Sequence, residues 1–236
     1  MKREIIIFNE DEVFQKAKEH FIKIAGFRSH DKKHLKMLEE GMKARDLGLG
    51  GIEIKAVVSS YGGEVYQDHK VNIEGTEFAC TAFSQINDDI VKKVYAYLLT
   101  VGECTSGDED GIMTQLYADI WGTAYTEAAR DVLQDFIVND IEKNYPDQLN
   151  NGLFLSDTFG PGFYGMDVAQ SIELFQVLNG ESIGIQVRDS GIMLPLKSCS
   201  GLFLLVTDST VLPKPDCRDC LGSVLSCSFC LLRKES

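Results

Sequence analysis

Two stretches of this chain combine residue types and spacings that can do chemistry. Near the end, CRDCLGSVLSCSFC sets Cys217, Cys220, Cys227 and Cys230 in a C-x2-C-x6-C-x2-C array. Paired C-x2-C elements allow thiolates to converge tetrahedrally on one centre, so the array is a metal site. Structural zinc satisfies it, and so does a [4Fe–4S] cluster, which would add low-potential electron transfer. The other cysteines, Cys80, Cys104 and Cys199, are scattered as buried small hydrophobes usually are. Clustering in a chain without secretory features points to metal rather than disulfides.

The second stretch is TFGPGFYGMD, residues 158–167. Proline fixes its own φ, and flanking glycines reach positive φ and let another group approach the main chain. Gly160, Pro161 and Gly162 therefore form either a simple chain reversal or a backbone cradle for a ligand. Phe163 and Tyr164, next in line, are either a face for that ligand or core residues. Met166 and Met193 read as core, and Asp189 and Lys197 as capping or turn contacts.

The bulk numbers narrow the classes. The chain has 236 residues, 44% hydrophobic and 25% charged, which suits one large globular domain with a small appendage. Its net charge of −13 argues against sequence-independent nucleic-acid binding, which needs a basic face. That charge serves solubility, or docking onto a basic partner. The opening MKREIIIFNEDEVF has too short an apolar run for a signal peptide, and no run approaches the roughly 18–20 apolar residues of a membrane span. The expectation is a cytoplasmic protein without membrane contact.

The elements that must position these residues follow from periodicity. Residues 10–25 and 31–46 read as helices, the second ended by GLGG. IEIKAVVSSY and EVYQDHKVNI, separated by Gly62-Gly63, read as a strand pair. INDDIVKKVYAYLLTVG reads as a helix capped by Asn87 or Asp88 and ending near Gly102. The longest helical pattern is 114–145, stopped before Pro146, with Ala118, Gly122, Tyr125 and Ala129 on one face. Such small residues allow either close helix packing or room for a ligand. A short helix over 167–179 and strands over 183–188 and 201–207 follow. Helices and strands in blocks favour α+β. STVLPKPD, 209–216, reads as a linker, giving a domain over 1–208 and a linker with metal-binding tail over 209–236.

In order, PGF, a short helix, IGIQVRDSGIMLP and KSCSG resemble the activation domain of cobalamin-dependent methionine synthase. The residues that fit are Pro161, Gly162, Ile183, Gly184, Asp189, Ser190, Met193, Pro195, Lys197, Ser198, Ser200 and Gly201. VNIEGTEFACTAFSQINDDIVKKVYAYLLTVGE and ADIWGTAYTEAARD are similar too, so the resemblance spans roughly residues 1–207. It implies an α+β fold with an antiparallel sheet and flanking helices, to which this chain adds its Cys-rich tail. It also implies S-adenosylmethionine held at the turn, against a partner that carries cobalamin. The partner is a methionine synthase or a related corrinoid protein, served in trans, since the chain shows no D-x-H-x-x-G cobalamin signature. Oxidised cob(II)alamin is then reduced by one electron, from a flavodoxin or ferredoxin, and methylated. The resemblance places the ligand on Gly160, Pro161, Gly162, Phe163 and Tyr164, with Thr123 and Glu127 on the long helix. No residue of this chain acts as a chemical catalyst; its task is to position the methyl donor.

The chain departs from the pattern at three places. Thr158 stands where the family has an arginine that pairs with the ligand carboxylate, and Phe163 where it has tyrosine, with Tyr164 one step later. Thr123 stands where a glutamate meets the ligand amine, with Glu127 one turn further on. A lost arginine–carboxylate pair costs about 1.5–3 kcal/mol. Arg188 is the one nearby candidate for a substitute cation. These departures carry an alternative: a metal-binding adaptor that docks on a corrinoid protein without S-adenosylmethionine. A weaker third reading is an electron-transfer protein using the cysteine tail alone.

Overall fold

The computed structural model describes residues 3–28, 31–48, 52–104, 111–144 and 152–213. In chain order its elements are β1 (Arg3–Ile7), α1 (Glu10–Ile24), α2 (Lys32–Gly48), β2 (Ile52–Gly62), β3 (Tyr66–Gln67), β4 (Lys70–Ile73) and β5 (Thr76–Ala79). There follow β6 (Val91–Gly102), α3 (Ile112–Asn144), β7 (Phe154–Leu155), α4 (Gln170–Leu178), β8 (Gln186–Val187), β9 (Met193–Leu194) and β10 (Ser198–Val206). The main sheet is five-stranded and antiparallel, in the order β1-β2-β6-β10-β7. Strands β3, β4 and β5 make a separate small meander, and β8 and β9 a hairpin. The class is α+β.

Helices cover one face of the main sheet and the meander with α4 covers the other. Alternate residues of β6 therefore enter different cores. Tyr95, Tyr97, Leu99 and Val101 pack with α1 and α3. Val94, Ala96 and Leu98 pack with Phe78, Phe83, Phe159 and Leu174. Under the helices, Trp121 stacks on Phe21 with ring centroids 4.1 Å apart, and its indole N–H donates to Gly41 O at 2.8 Å.

The structure corrects the expected helix over 87–102. Asp88–Ile90 is one 3-10 turn, and the rest is β6, the central strand of the sheet. A strand buried on both faces is a continuous apolar run with no period of two, so its pattern does not separate strand from helix. Val91, Val94, Tyr95, Tyr97, Thr100 and Val101, β-branched or aromatic, suit the extended state.

The strand pair across Gly62-Gly63 is corrected as well. IEIKAVVSSY forms β2, but its two edges are taken by β1 and β6. The following stretch turns away through a 3-10 turn at Gly63–Val65 and pairs with itself as β3 and β4. Of residues 183–188 only Gln186 and Val187 are strand, with Gly180–Ile183 in a 3-10 turn. The last strand begins at Ser198, earlier than expected.

The small-residue face of α3 serves close packing. A Cβ on Gly122 would lie 2.8 Å from both Cys104 Cβ and Lys197 Cε. Ala118, Tyr125 and Ala129 are buried in the helix-side core.

Leu98 is fully buried opposite Val57 and Ser200. Leu98→Ala is expected to lower the unfolding free energy by about 2–5 kcal/mol, measured by urea denaturation. A cost under about 1 kcal/mol would contradict a two-sided central strand.

Candidate functional site

The turn at 160–165 is built largely from its own hydrogen bonds. Phe163 N–H donates to Gly160 O, Gly162 N–H to Met166 O and Met166 N–H to Phe163 O, each at 2.9 Å. Gly162, Tyr164 and Gly165 all have positive φ (88°, 51° and 80°). The turn is anchored on the loop that follows the meander. Tyr164 O accepts the Ala82 N–H at 3.3 Å and the Cys80 thiol at 3.0 Å. A side chain at Gly165 would strike Thr81 Oγ1.

The two aromatics separate. Tyr164 leans on Phe159 at 5.5 Å between ring centroids and packs against the second core. Phe163 is 59% exposed, so of the pair it is the one presented outward. Met166 is buried and Met193 packs against the same core, as expected.

Before the turn, Thr158 is buried, and its Oγ1 lies 2.8 Å from Tyr97 OH. Tyr97 belongs to a polar group between sheet and α3 that includes Cys199 and Arg130. Burial raises the Tyr97 hydroxyl well above its ordinary pKa, and pushes the Cys199 thiol up to about 12. Burial works against the Arg130 charge, but Glu127, Tyr97, Cys199 and Asp157 together hold it protonated. Glu127 Oε2 pairs with Arg130 Nη2 at 2.6 Å. Arg130 escaped the sequence reading; its signal was a cation on a helix face otherwise lined by Ala128, Ala129 and Leu133.

Thr123 lies one turn back and serves another cation. Lys197 Nζ donates to Thr123 Oγ1 at 2.9 Å and to Asp119 Oδ1 at 2.7 Å, its stem crossing Gly122. Lys197 thus straps the end of the β9–β10 connection to α3, a structural contact. Arg188 is exposed on the β8–β9 turn, where its N–H donates to Ile192 O.

The structure therefore links Thr158, through Tyr97, to the Arg130–Glu127 pair, while Thr123 is committed to Lys197. Phe163 stands apart on the surface of the turn. A small cavity of about 50 Å³, lined by Glu4, Ser60, Tyr95, Phe136 and Asp140 among others, involves none of these residues.

With this geometry set out, one solved structure is informative: the MetH reactivation domain bound to AdoHcy. It superposes with a TM-score of 0.59 at 10% identity, covering 89% of this chain and 80% of that one. The chain has the fold of the MetH reactivation domain. No family model and no curated protein matches it. The likeness at this identity establishes the fold alone.

The surroundings of the turn differ at its two ends. Ser200 Oγ, 94% removed from solvent by residue burial (6% exposed), has no hydrogen-bond partner, and the Cβ side of Gly162 meets nothing nearer than Val168 Cγ2 at 3.8 Å. At the other end Thr123 already holds an ammonium, that of Lys197.

Cys217, Cys220, Cys227 and Cys230 lie outside the described residues. Among the described residues no group of three or more His, Cys, Asp or Glu is placed to hold a metal, and no helix is long and apolar enough to cross a membrane. Cys80 and Cys104 are buried and Cys199 is half-buried. Burial raises the Cys80 thiol and pushes Cys104 up to about 11. Alkylation of native protein with iodoacetamide at pH 8 is expected to spare these three, since the thiolate is the reactive form. Mass mapping checks it, and rapid labelling of Cys199 would show that its thiol is not held protonated.

Proposed function

We propose that this chain is a reactivation module for a corrinoid protein. It would hold S-adenosylmethionine at the 160–164 turn and present it to cobalamin carried by a methionine synthase or related methyltransferase. The observation that carries the reading is the fold shared with a reactivation domain solved with AdoHcy, the demethylated form of that donor. When bound, S-adenosylmethionine supplies an electrophilic methyl group on sulfur. The chain's own contribution is placement. Gly160, Pro161 and Gly162 shape the edge, Phe163 offers an exposed aromatic face to a sulfonium or a base, and Arg130 beside Glu127 lies behind Thr158. In this reading Cys217, Cys220, Cys227 and Cys230 bind zinc or a [4Fe–4S] cluster, and a flavodoxin or ferredoxin supplies the electron.

The alternative, an adaptor that docks on the corrinoid protein without S-adenosylmethionine, is favoured by one observation. Lys197 fills the place at Thr123 where the resemblance puts the ligand amine. Calorimetric titration with S-adenosylmethionine separates the two. Submillimolar affinity supports the reactivation module; millimolar or absent binding supports the adaptor. Lys197→Met is expected to raise that affinity about tenfold, one charge-assisted hydrogen bond's worth, if the tail ammonium takes the vacated place. Unchanged affinity would put the tail elsewhere.

The nature of the tail has its own test. Absorption near about 400 nm after anaerobic purification, lost in Cys217→Ala, is expected of an iron–sulfur cluster. A colourless protein retaining stoichiometric zinc identifies the structural metal instead.

A further inference from the structure

We propose that β1 pairs with β1 of a second copy of this chain, joining two main sheets edge to edge about a two-fold axis at Ile5.

β1 is the terminal strand of the main sheet and is bonded on one side only, to β2. Phe8 N–H donates to Ile54 O at 3.0 Å, and that pair continues the β1–β2 register. In an antiparallel ladder mutual bonding falls on alternate residues, so Ile6 and Glu4 also turn their N–H and C=O toward β2. Arg3, Ile5 and Ile7 therefore turn theirs outward, and among the described residues nothing bonds them there. The side chains are bare too: Ile5 is 51% and Ile7 73% exposed.

Folded proteins blunt such an edge with a proline, a lysine, a bulge or a covering segment. β1 contains neither proline nor lysine, its register with β2 is unbroken, and its last three residues are isoleucine. An unblunted edge of this kind is a template for another strand.

The symmetry of β1 itself selects a second copy as that strand. Antiparallel pairing about an axis at Ile5 sets Ile5 against Ile5, and Arg3 of each copy against Ile7 of the other. Each outward-turned residue then exchanges two N–H···O bonds, and no main-chain group of the edge is left over. The axis stands perpendicular to the sheet, so both sets of helices lie on one face and both meanders on the other. Arg3 reaches Glu74 on the β4–β5 turn at 3.9 Å, which puts Arg3, Ile5 and Ile7 on the meander face. There the isoleucines of the two copies meet as one apolar group. Moving the axis to Glu4 would oppose two carboxylates, and moving it to Ile6 would leave Arg3 unpaired. A shift by one residue would set outward-turned groups against residues already bonded to β2. A foreign strand would have to bring apolar residues at this spacing, which a second copy already has.

Such an interface is small, so the dimer belongs to the transient class. Sedimentation velocity on the full chain, with reductant and chelator to keep the cysteine tails from linking copies, is expected to show the mean mass rising toward a dimer between about 1 µM and 1 mM. Each copy carries a net charge of −13, so raising sodium chloride from about 50 to 500 mM is expected to tighten the dimer about threefold. Ile5→Pro removes an N–H that points away from β2, and is expected to abolish the dimer while leaving the melting temperature within a few degrees. Ile5→Cys, oxidised in dilute solution and mapped by mass spectrometry, is expected to link position 5 to position 5. Ile7→Cys is expected not to link to itself, since the two positions lie about 13 Å apart along the paired strands. A monomer at every concentration, or a dimer that survives Ile5→Pro and links through position 7, overturns the pairing. A monomer whose β1 edge captures an unrelated strand overturns the choice of a second copy.

Discussion

Burial of the sheet on both faces is the constraint from which the rest of this molecule follows. β6 and β10 run antiparallel through the centre, and their alternate side chains feed two separate cores. A sheet covered twice needs a second layer as large as the helical one, and here the β3-β4-β5 meander and α4 supply it. The chain can reach that second layer only by leaving the sheet between β2 and β6 and again after β7. The second departure is the Gly160-Pro161-Gly162 turn. The turn is therefore a topological necessity before it is a candidate site, and its internal hydrogen bonds fit that structural task.

What makes it more than a corner is the mismatch it leaves behind. β10 extends four residues, Ser198–Gly201, beyond the last pair on that edge, Leu202 with Phe159. Gly160 allows the turn to lie against the Ser200 carbonyl, since a Cβ there would come within 2.8 Å of its oxygen. At this margin of the sheet the Ser200 hydroxyl is buried without a hydrogen-bond partner among the described residues. On the helix side of the same edge, polar groups are paired instead, Tyr97 with Thr158 and Arg130 with Glu127, and the Arg130 charge acts on Tyr97.

The charges on α3 show how a shared architecture can be retuned. The strap from Lys197 to Asp119 and Thr123 and the pair between Arg130 and Glu127 engage four polar side chains of this helix. Neither is a bare surface pair, since the Lys197 and Arg130 side chains are 18% and 20% exposed. Each cation is held by oxygen atoms of the chain itself. A ligand tail with its own ammonium and carboxylate would have to compete with them, and that competition separates the two functional readings physically.

Local pattern by itself determined the helices over 10–24, 32–48, 112–144 and 170–178, because amphipathic spacing and end signals are properties of neighbouring residues. It also marked the Gly-Pro-Gly turn, whose backbone demands are written in residue types, and the ordered motifs that resembled this architecture. Only the tertiary structure decided that 91–102 is a strand, since burial on both faces erases the alternation by which a strand is recognised. Likewise it decided the partners of β2, because pairing across a sheet depends on which edges are free rather than on sequence proximity. The fates of Thr123, Thr158 and Ser200 were illegible for the same reason. Each is set by a residue between 39 and 74 positions away — Lys197, Tyr97 or Pro161 on the neighbouring edge — and contacts at that range exist only once the chain has closed on itself.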